Sequence, residues 1–60
     1  MRNYPACLEW SDDDQAWIAR NPMLPGCMAH GETRESAMIN WFFAVESWLR
    51  TAKQLGRRIP

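Results

Sequence analysis

The first residues of the chain alternate between apolar and polar side chains, which is the period of a half-buried β-strand. In residues 4–10 every second side chain is apolar and falls on one face: Tyr4, Ala6, Leu8 and Trp10. Pro5 cannot donate a hydrogen bond to a neighbouring strand, so it is expected near the strand start or on an edge. The pattern predicts a first strand over residues 4–10.

Two more short strands are predicted on either side of a loop that contains two prolines and a glycine. Residues 11–15, with three aspartates at 12–14, are predicted to form a turn, because short Asx side chains hydrogen-bond their own backbone. A second strand over residues 16–20 follows at hairpin distance. Either the Trp17 face or the Ile18 face could point inward, and both are expected to be partly covered. Proline and glycine exclude a central strand in the loop, and a third strand over residues 27–30 follows.

The last part of the chain has the period of an amphipathic helix, predicted over residues 34–55. Thr33 is the expected N-cap and Gly56 the expected C-cap. The capping box is expected to be incomplete, because Ser36 stands where Glu or Gln is usual. One apolar stripe contains Ala37, Met38, Trp41, Phe42, Val45, Trp48, Leu49, Ala52 and Leu55. The stripe is wide enough to cover a small sheet.

Two apolar residues of the helix, Ile39 and Phe43, fall outside this stripe. They lie at about 200° and 240° from Ala37 on the helical wheel, among polar neighbours. They are either scattered surface residues or a partner-contact patch. A 60-residue chain buries only roughly 60% of its unfolded surface, which favours contact with another chain. Trp10 and Trp17, whose indole N–H groups suit an interface, complete the predicted partner-binding residues.

These elements predict one α+β domain over residues 1–60. The order is β-β-β-α, with a three-stranded antiparallel sheet covered on one face by a long C-terminal helix. The chain is 47% hydrophobic and contains four tryptophans. Association into a homo-oligomer is the expected source of further burial, because a chain this short gains little net stability from its own core.

Charge and cysteine content narrow the class of protein. The formal net charge is zero, which predicts no direct nucleic-acid binding by this chain. No stretch approaches the roughly 20 apolar residues of a membrane span, so no membrane partner is expected. Cys7 and Cys27 could form at most one disulfide. Residues 1–5 have no apolar signal region, so we expect a cytoplasmic protein with reduced thiols.

Few residues could carry chemistry. Cys27 and His30 have a C-x-x-H spacing, but residues three apart in a strand point to opposite faces. The aspartates at residues 12–14 lack the alternating ligands and final glutamate of a calcium loop. We therefore expect no catalytic residue, no cofactor and no metal site. A degenerate nuclease would bind a divalent metal at Glu9 and residues 12–14, and we expect no such binding.

The order of several motifs resembles the HicB family of antitoxins from about residue 4 to residue 60. Residues 22–27 read Pro-Met-Leu-Pro-Gly-Cys, and Gly31 and Thr33 then open the long helix. Met23 departs from the family pattern, which usually has an acidic residue there. The resemblance implies a partial RNase H-like fold, β-β-β-α and often a fourth strand, without the catalytic carboxylates of a nuclease.

The resemblance also implies a function and a partner. HicB-like domains bind a small HicA toxin, which cleaves mRNA, and cover its active surface; many assemble into dimers or tetramers. Many also carry a C-terminal DNA-binding domain. This sequence stops at Pro60, about where a linker to that domain would begin, and a fourth strand could begin near Ile59, so operon repression is not carried over. The expectation is a non-enzymatic antitoxin; the alternative is an orphan structural module that only self-associates.

Overall fold

Three strands precede one helix in the computed structural model, which describes residues 4–60. The strands are β1 (Cys7–Ser11), β2 (Ala16–Arg20) and β3 (Met28–Gly31), and the helix is α1 (Arg34–Gln54). The strands pair antiparallel in the order β1-β2-β3. The predicted fold class, an α+β domain with β-β-β-α order, is therefore confirmed. Residues 4–60 contain no helix with the length and apolar character that a membrane span requires.

Strand β1 begins at Cys7, three residues later than predicted, and ends at Ser11. Pro5 lies outside the strand, as expected for a residue without a backbone N–H. Its carbonyl instead accepts a hydrogen bond from the side-chain amide of Asn21 at 2.8 Å. Tyr4 is buried, and its hydroxyl donates to the carbonyl of Pro60. Tyr4 therefore belongs to the core without being part of the sheet.

A tight hairpin joins β1 to β2, with Ser11 paired with Ala16 across its end. The Asp14 N–H donates to the Ser11 hydroxyl at 3.2 Å. The Gln15 side chain donates to the Asp12 carbonyl at 2.7 Å. Gln15 adopts a left-handed φ of 51°, a conformation that turns accept more readily than strands. The predicted turn is thus confirmed at residues 12–15, whereas Ser11 belongs to β1, and side-chain hydrogen bonds fix the shape of the turn.

One row of side chains on the helix-facing side of the sheet forms the base of the core. Leu8, Ala19 and Ala29 occupy paired positions across the three strands. Helix α1 packs mainly over β3 and next over β2. Because β1 receives less cover, Trp10, on the same side as Leu8, is 44% exposed.

The other side of β2 is also covered, as predicted. Ile18 points away from the helix, yet it is 8% exposed. Its paired neighbours are Glu9 on β1 and His30 on β3. Ile18 lies between these two residues on the central strand, while Ala19 is buried beneath the helix. Neither face of the central strand is fully exposed to solvent.

The helix begins with a complete capping box, so the expectation of an incomplete one was wrong. The Thr33 hydroxyl accepts from the Ser36 N–H at 3.0 Å. The Ser36 hydroxyl accepts in return from the Thr33 N–H at 3.0 Å. A serine hydroxyl therefore does here what a Glu or Gln side chain usually does.

The strand before the helix ends at Gly31, where the backbones of β3 and α1 approach closely. A Cβ atom at this position would collide with the backbone nitrogen of Ala37 and the side chain of Ser36. Glycine therefore allows the first turn of α1 to pack directly against the end of β3.

The helix ends in a Schellman motif, with Leu55 as the C-cap. Gly56, the predicted C-cap, lies one residue further on, with a φ of 71°. Its N–H donates to the Lys53 carbonyl at 3.2 Å, and the Arg57 N–H donates to the Ala52 carbonyl at 2.8 Å. These two bonds satisfy carbonyls that the last helical turn would leave open.

Most of the predicted helical stripe is buried or half-buried, but two of its members are not. Phe42 is 57% exposed and Leu55 is 68% exposed, so their assignment to the core was wrong. Phe42 lies at the margin of the stripe, about 140° from Ala37, on a side that the sheet does not reach. Leu55 follows the last helical residue, and α1 is about 31 Å long against about 17 Å for a five-residue strand.

Candidate partner-binding site

The two tryptophans predicted to bind a partner meet at the hairpin end of the sheet. Trp10 and Trp17 are paired across β1 and β2, with ring centroids 5.7 Å apart in an edge-to-face arrangement. The Trp10 indole N–H donates to the Asp12 carboxylate at 2.8 Å. The Arg34 guanidinium carbon lies 4.6 Å from the Trp17 ring centroid. These contacts hold a partly exposed aromatic pair in one orientation.

Acidic side chains lie at the same end of the molecule as this aromatic pair. Trp17 is paired with Gly31, so the hairpin loop and the start of α1 lie at the same end of the molecule. Five of the seven acidic residues of the chain are found there: Asp12, Asp13, Asp14, Glu32 and Glu35. We call Trp10, Trp17, Arg34 and residues 12–14 the hairpin-end surface. It combines rigid aromatic rings with negative charge.

Basic side chains collect at the opposite end of the molecule. Residues in and after the last turns of α1 supply them: Arg50, Lys53, Arg57 and Arg58. This separation was not apparent from the formal net charge, which is zero. The signal was in the order of the charges, with acids at residues 12–14, 32 and 35 and bases from residue 50 onward.

A second exposed surface lies on the side of α1 that faces away from the sheet. Ile39 and Phe42 are each 57% exposed, and Phe43 is 67% exposed. Their spacing of three and four residues places them side by side on the helix. We call these three residues the outer helix patch. Ile39 and Phe43 were predicted from the sequence as partner-binding residues, whereas Phe42 was assigned to the core.

The four predicted partner-binding residues therefore form two separate pairs. Trp10 and Trp17 belong to the hairpin-end surface, whereas Ile39 and Phe43 belong to the outer helix patch. Whether either surface binds another chain stays a prediction, and the two pairs allow it to be tested separately.

A shallow groove of about 560 Å³ lies beside the proline-containing loop. Cys7, Arg20 and Met28 line it from paired positions on the three strands. Arg20 donates to the exposed Glu9 carboxylate in an ion pair along its wall. Because Glu9 already has a cationic neighbour, the groove carries little uncompensated charge.

Cysteine and histidine are dispersed rather than clustered. Cys7 and Cys27 are free thiols, the first exposed and the second buried. Burial raises the pKa of the Cys27 thiol, because desolvation disfavours the thiolate. His30 is exposed. Within residues 4–60, no group of three or more His, Cys, Asp or Glu side chains is placed to hold a metal ion.

Comparison with known proteins gives a family match over nearly the whole chain. The family described as "HicB_like antitoxin of bacterial toxin-antitoxin system" matches residues 4–60. UPF0150 protein Ta0767 of Thermoplasma acidophilum is 33% identical over 49 residues, which cover 82% of this chain and 71% of that protein. UPF0150 protein ssl0259 of Synechocystis sp. is 31% identical over 58 residues, 97% of this chain and 78% of that protein. No solved structure gives a significant match.

Proposed function

The chain belongs to the HicB-like antitoxin family, and from that premise we propose that it binds and neutralises a HicA-type, mRNA-cleaving toxin without catalysing a reaction itself. Because such a toxin acts on mRNA, the proposed location is the cytoplasm. Assembly into a dimer or tetramer is part of the proposal. Its main support is the family match over residues 4–60.

The hairpin-end surface is the proposed toxin-binding site. A protein that cleaves RNA must attract phosphates with Lys and Arg, so its RNA-binding surface is basic. The acidic residues at the same end of the molecule as Trp10 and Trp17 have the opposite charge. Partly exposed tryptophans are also the residue type that most often dominates binding energy at protein interfaces. Acidic charge would steer the toxin to this surface, and the two rings would anchor it.

Neutralisation then follows from simple competition. Carboxylates of residues 12–14 would occupy the basic surface that RNA phosphates otherwise bind. RNA and antitoxin could not bind the toxin together, so cleavage would stop without any chemical step in this chain. Association should become slower and weaker as salt is added, because exposed charges are screened.

Co-expression with a HicA-type toxin is the direct test. Growth inhibited by the toxin should recover when the chain is expressed, and the two proteins should copurify. The Trp10→Ala variant should lose rescue, with a Kd at least about tenfold weaker. Met23→Ala is the matched control, because Met23 is 59% exposed but lies in the proline-containing loop. Equal rescue by both variants would contradict the proposed site.

Charge is tested separately with Asp13→Lys, which reverses one exposed charge in the hairpin loop. We expect a slower association rate and a weaker salt dependence of binding. Gln54→Lys adds a positive charge at the other end of α1 and should leave binding unchanged. Circular dichroism of each variant checks that the fold is kept. A folded wild-type chain that neither binds nor neutralises the toxin would refute the function itself.

The alternative function is an orphan structural module that only self-associates. The outer helix patch favours self-association but is compatible with both functions. A chain that forms oligomers, yet fails to rescue growth, would support the alternative.

A further inference from the structure

The outer helix patch is a compact apolar surface in the middle of an otherwise polar helix face. Ile39, Phe42 and Phe43 are each more than half exposed. With about 150–250 Å² for each aromatic side chain, the patch exposes on the order of 350 Å². A stable interface needs about 800 Å² from each partner. The patch could therefore form the core of an interface, and the rest of the helix face would form its rim.

The charges on either side of the patch are opposite in sign and evenly spaced. Glu35 and Arg50 lie on the same face of α1 as the patch. Each is about 11 Å along the helix from the midpoint between Phe42 and Phe43. A two-fold axis through that midpoint, perpendicular to α1, would bring Glu35 of one copy to the level of Arg50 of another. The surface is thus complementary to itself in the antiparallel direction.

We propose that the outer helix patch is an isologous interface, in which α1 packs antiparallel against α1 of a second copy of this chain. Phe42 meets Phe42 of the other copy on one side of the axis, and Phe43 meets Phe43 on the other. Glu35 and Arg50 form two symmetry-related ion pairs at the ends. A closed two-fold contact of this kind uses the same patch on both subunits.

The charge distribution of the whole molecule favours the same arrangement. The five acidic residues near the hairpin and the four basic residues near the helix end lie at opposite ends of a molecule about 36 Å long. Antiparallel packing places the acidic end of one copy beside the basic end of the other. Parallel packing would place like charges together, which is unfavourable. The zero net charge removes long-range repulsion between copies.

Glu46 lies within this face, between Phe43 and Arg50 and level with Ile39 of the second copy, so its carboxylate must keep a cationic partner in this arrangement. It accepts from Arg50 at 3.4 Å within the same helix. At the interface Arg50 would lie between its own Glu46 and Glu35 of the second copy. Each buried-rim carboxylate would then have a cationic neighbour, which is the condition for charge near an apolar interface.

The first test compares two equally exposed apolar residues. Sedimentation equilibrium of the wild-type chain at about 100 µM should give a dimer mass, because a weak interface assembles at high protein concentration. Phe43→Glu should weaken dimerisation by about tenfold or more. Leu55→Glu is the matched control, because Leu55 is 68% exposed but lies beyond the helix, and it should leave the dimer intact. A monomeric wild-type chain, or equal effects of both variants, would overturn the proposal.

The second test is a charge exchange that a purely structural role cannot reproduce. Glu35→Arg alone places two arginines at each end of the interface, and Arg50→Glu alone places two glutamates there. Each variant should dimerise about tenfold more weakly than wild type. An equimolar mixture of the two should restore dimers, because both ion pairs then join opposite charges. Failure of the mixture to associate, with both variants folded by circular dichroism, would exclude the antiparallel pairing.

This inference concerns self-association and does not depend on toxin binding. Phe43→Glu should weaken the dimer and leave copurification with the toxin unchanged, whereas Trp10→Ala should weaken copurification and leave the dimer unchanged. If Phe43→Glu instead abolished toxin binding and left the dimer intact, the patch would belong to a different partner. The proposed dimer interface and the proposed toxin-binding site can thus be refuted independently of each other.

Discussion

Trp41 is a buried residue that connects α1 to Tyr4. Its replacement by phenylalanine tests how much burial and hydrogen bonding at this position stabilise the fold. The Trp41 side chain is 0% exposed. Its indole N–H donates to the Tyr4 carbonyl at 2.9 Å in a buried position. Phenylalanine keeps an aromatic ring but removes this donor and part of the apolar volume. The substitution therefore separates burial and hydrogen bonding from general helix propensity.

The expected loss follows from two contributions. Removing the indole donor from a buried carbonyl costs about 1–3 kcal/mol. Losing the burial of about two ring carbons costs about 1–1.5 kcal/mol more. The free energy of unfolding should therefore fall by about 3 kcal/mol. For a 60-residue chain, whose unfolding entropy is roughly 0.13 kcal/mol/K, Tm should fall by about 20 °C or more.

Trp48→Phe is the matched control, because the chemical change is identical. The Trp48 indole also donates to a backbone carbonyl at 2.9 Å, that of Pro25, but in an exposed position. Water can replace this donor, so the free energy of unfolding should fall by about 1 kcal/mol and Tm by about 8 °C. Urea and thermal unfolding followed by far-UV circular dichroism at one protein concentration measure both. Equal losses in the two variants would refute burial as the deciding factor.

Two further predictions concern the backbone and the thiols. Gly31→Ala should cost several kcal/mol and prevent stable folding in thermal melts, because its Cβ would strike the Ala37 backbone. Gly26→Ala meets no atom within 4 Å and should cost only about 1 kcal/mol for its positive φ. At pH 8 a thiol reagent should label Cys7 rapidly and Cys27 only on unfolding; rapid labelling of both would contradict its burial. Because burial raises the pKa of Cys27, the folded chain holds that proton more tightly. The stability that this protonated thiol contributes is fully present below the pKa that the thiol has in the unfolded chain. It is lost as pH rises through the higher pKa that the thiol has in the folded chain. Wild type should therefore lose stability relative to Cys27→Ala in alkaline urea titrations.

The element order and the family could be read from the sequence, because each depends on local pattern. Alternation predicts β1, although Pro5 delays its start to Cys7. The 3.6-residue period and Thr33 define the helix, and the order of Gly31 and Thr33 after the proline-containing loop pointed to the HicB-like family. These features are recognisable because periodicity, capping and turn chemistry act over only a few residues.

The exposed surfaces were decided by tertiary packing. Helix periodicity predicted that Phe42 belongs to the apolar stripe. Because α1 packs mainly over β3 and β2, Phe42 is instead exposed next to Ile39 and Phe43. The same offset leaves Trp10 partly exposed. Zero net charge in the sequence concealed an acidic end and a basic end, because the hairpin brings residues 12–14 beside the start of the helix. Which side chains share a surface depends on where the helix crosses the sheet, and no short-range pattern encodes that crossing.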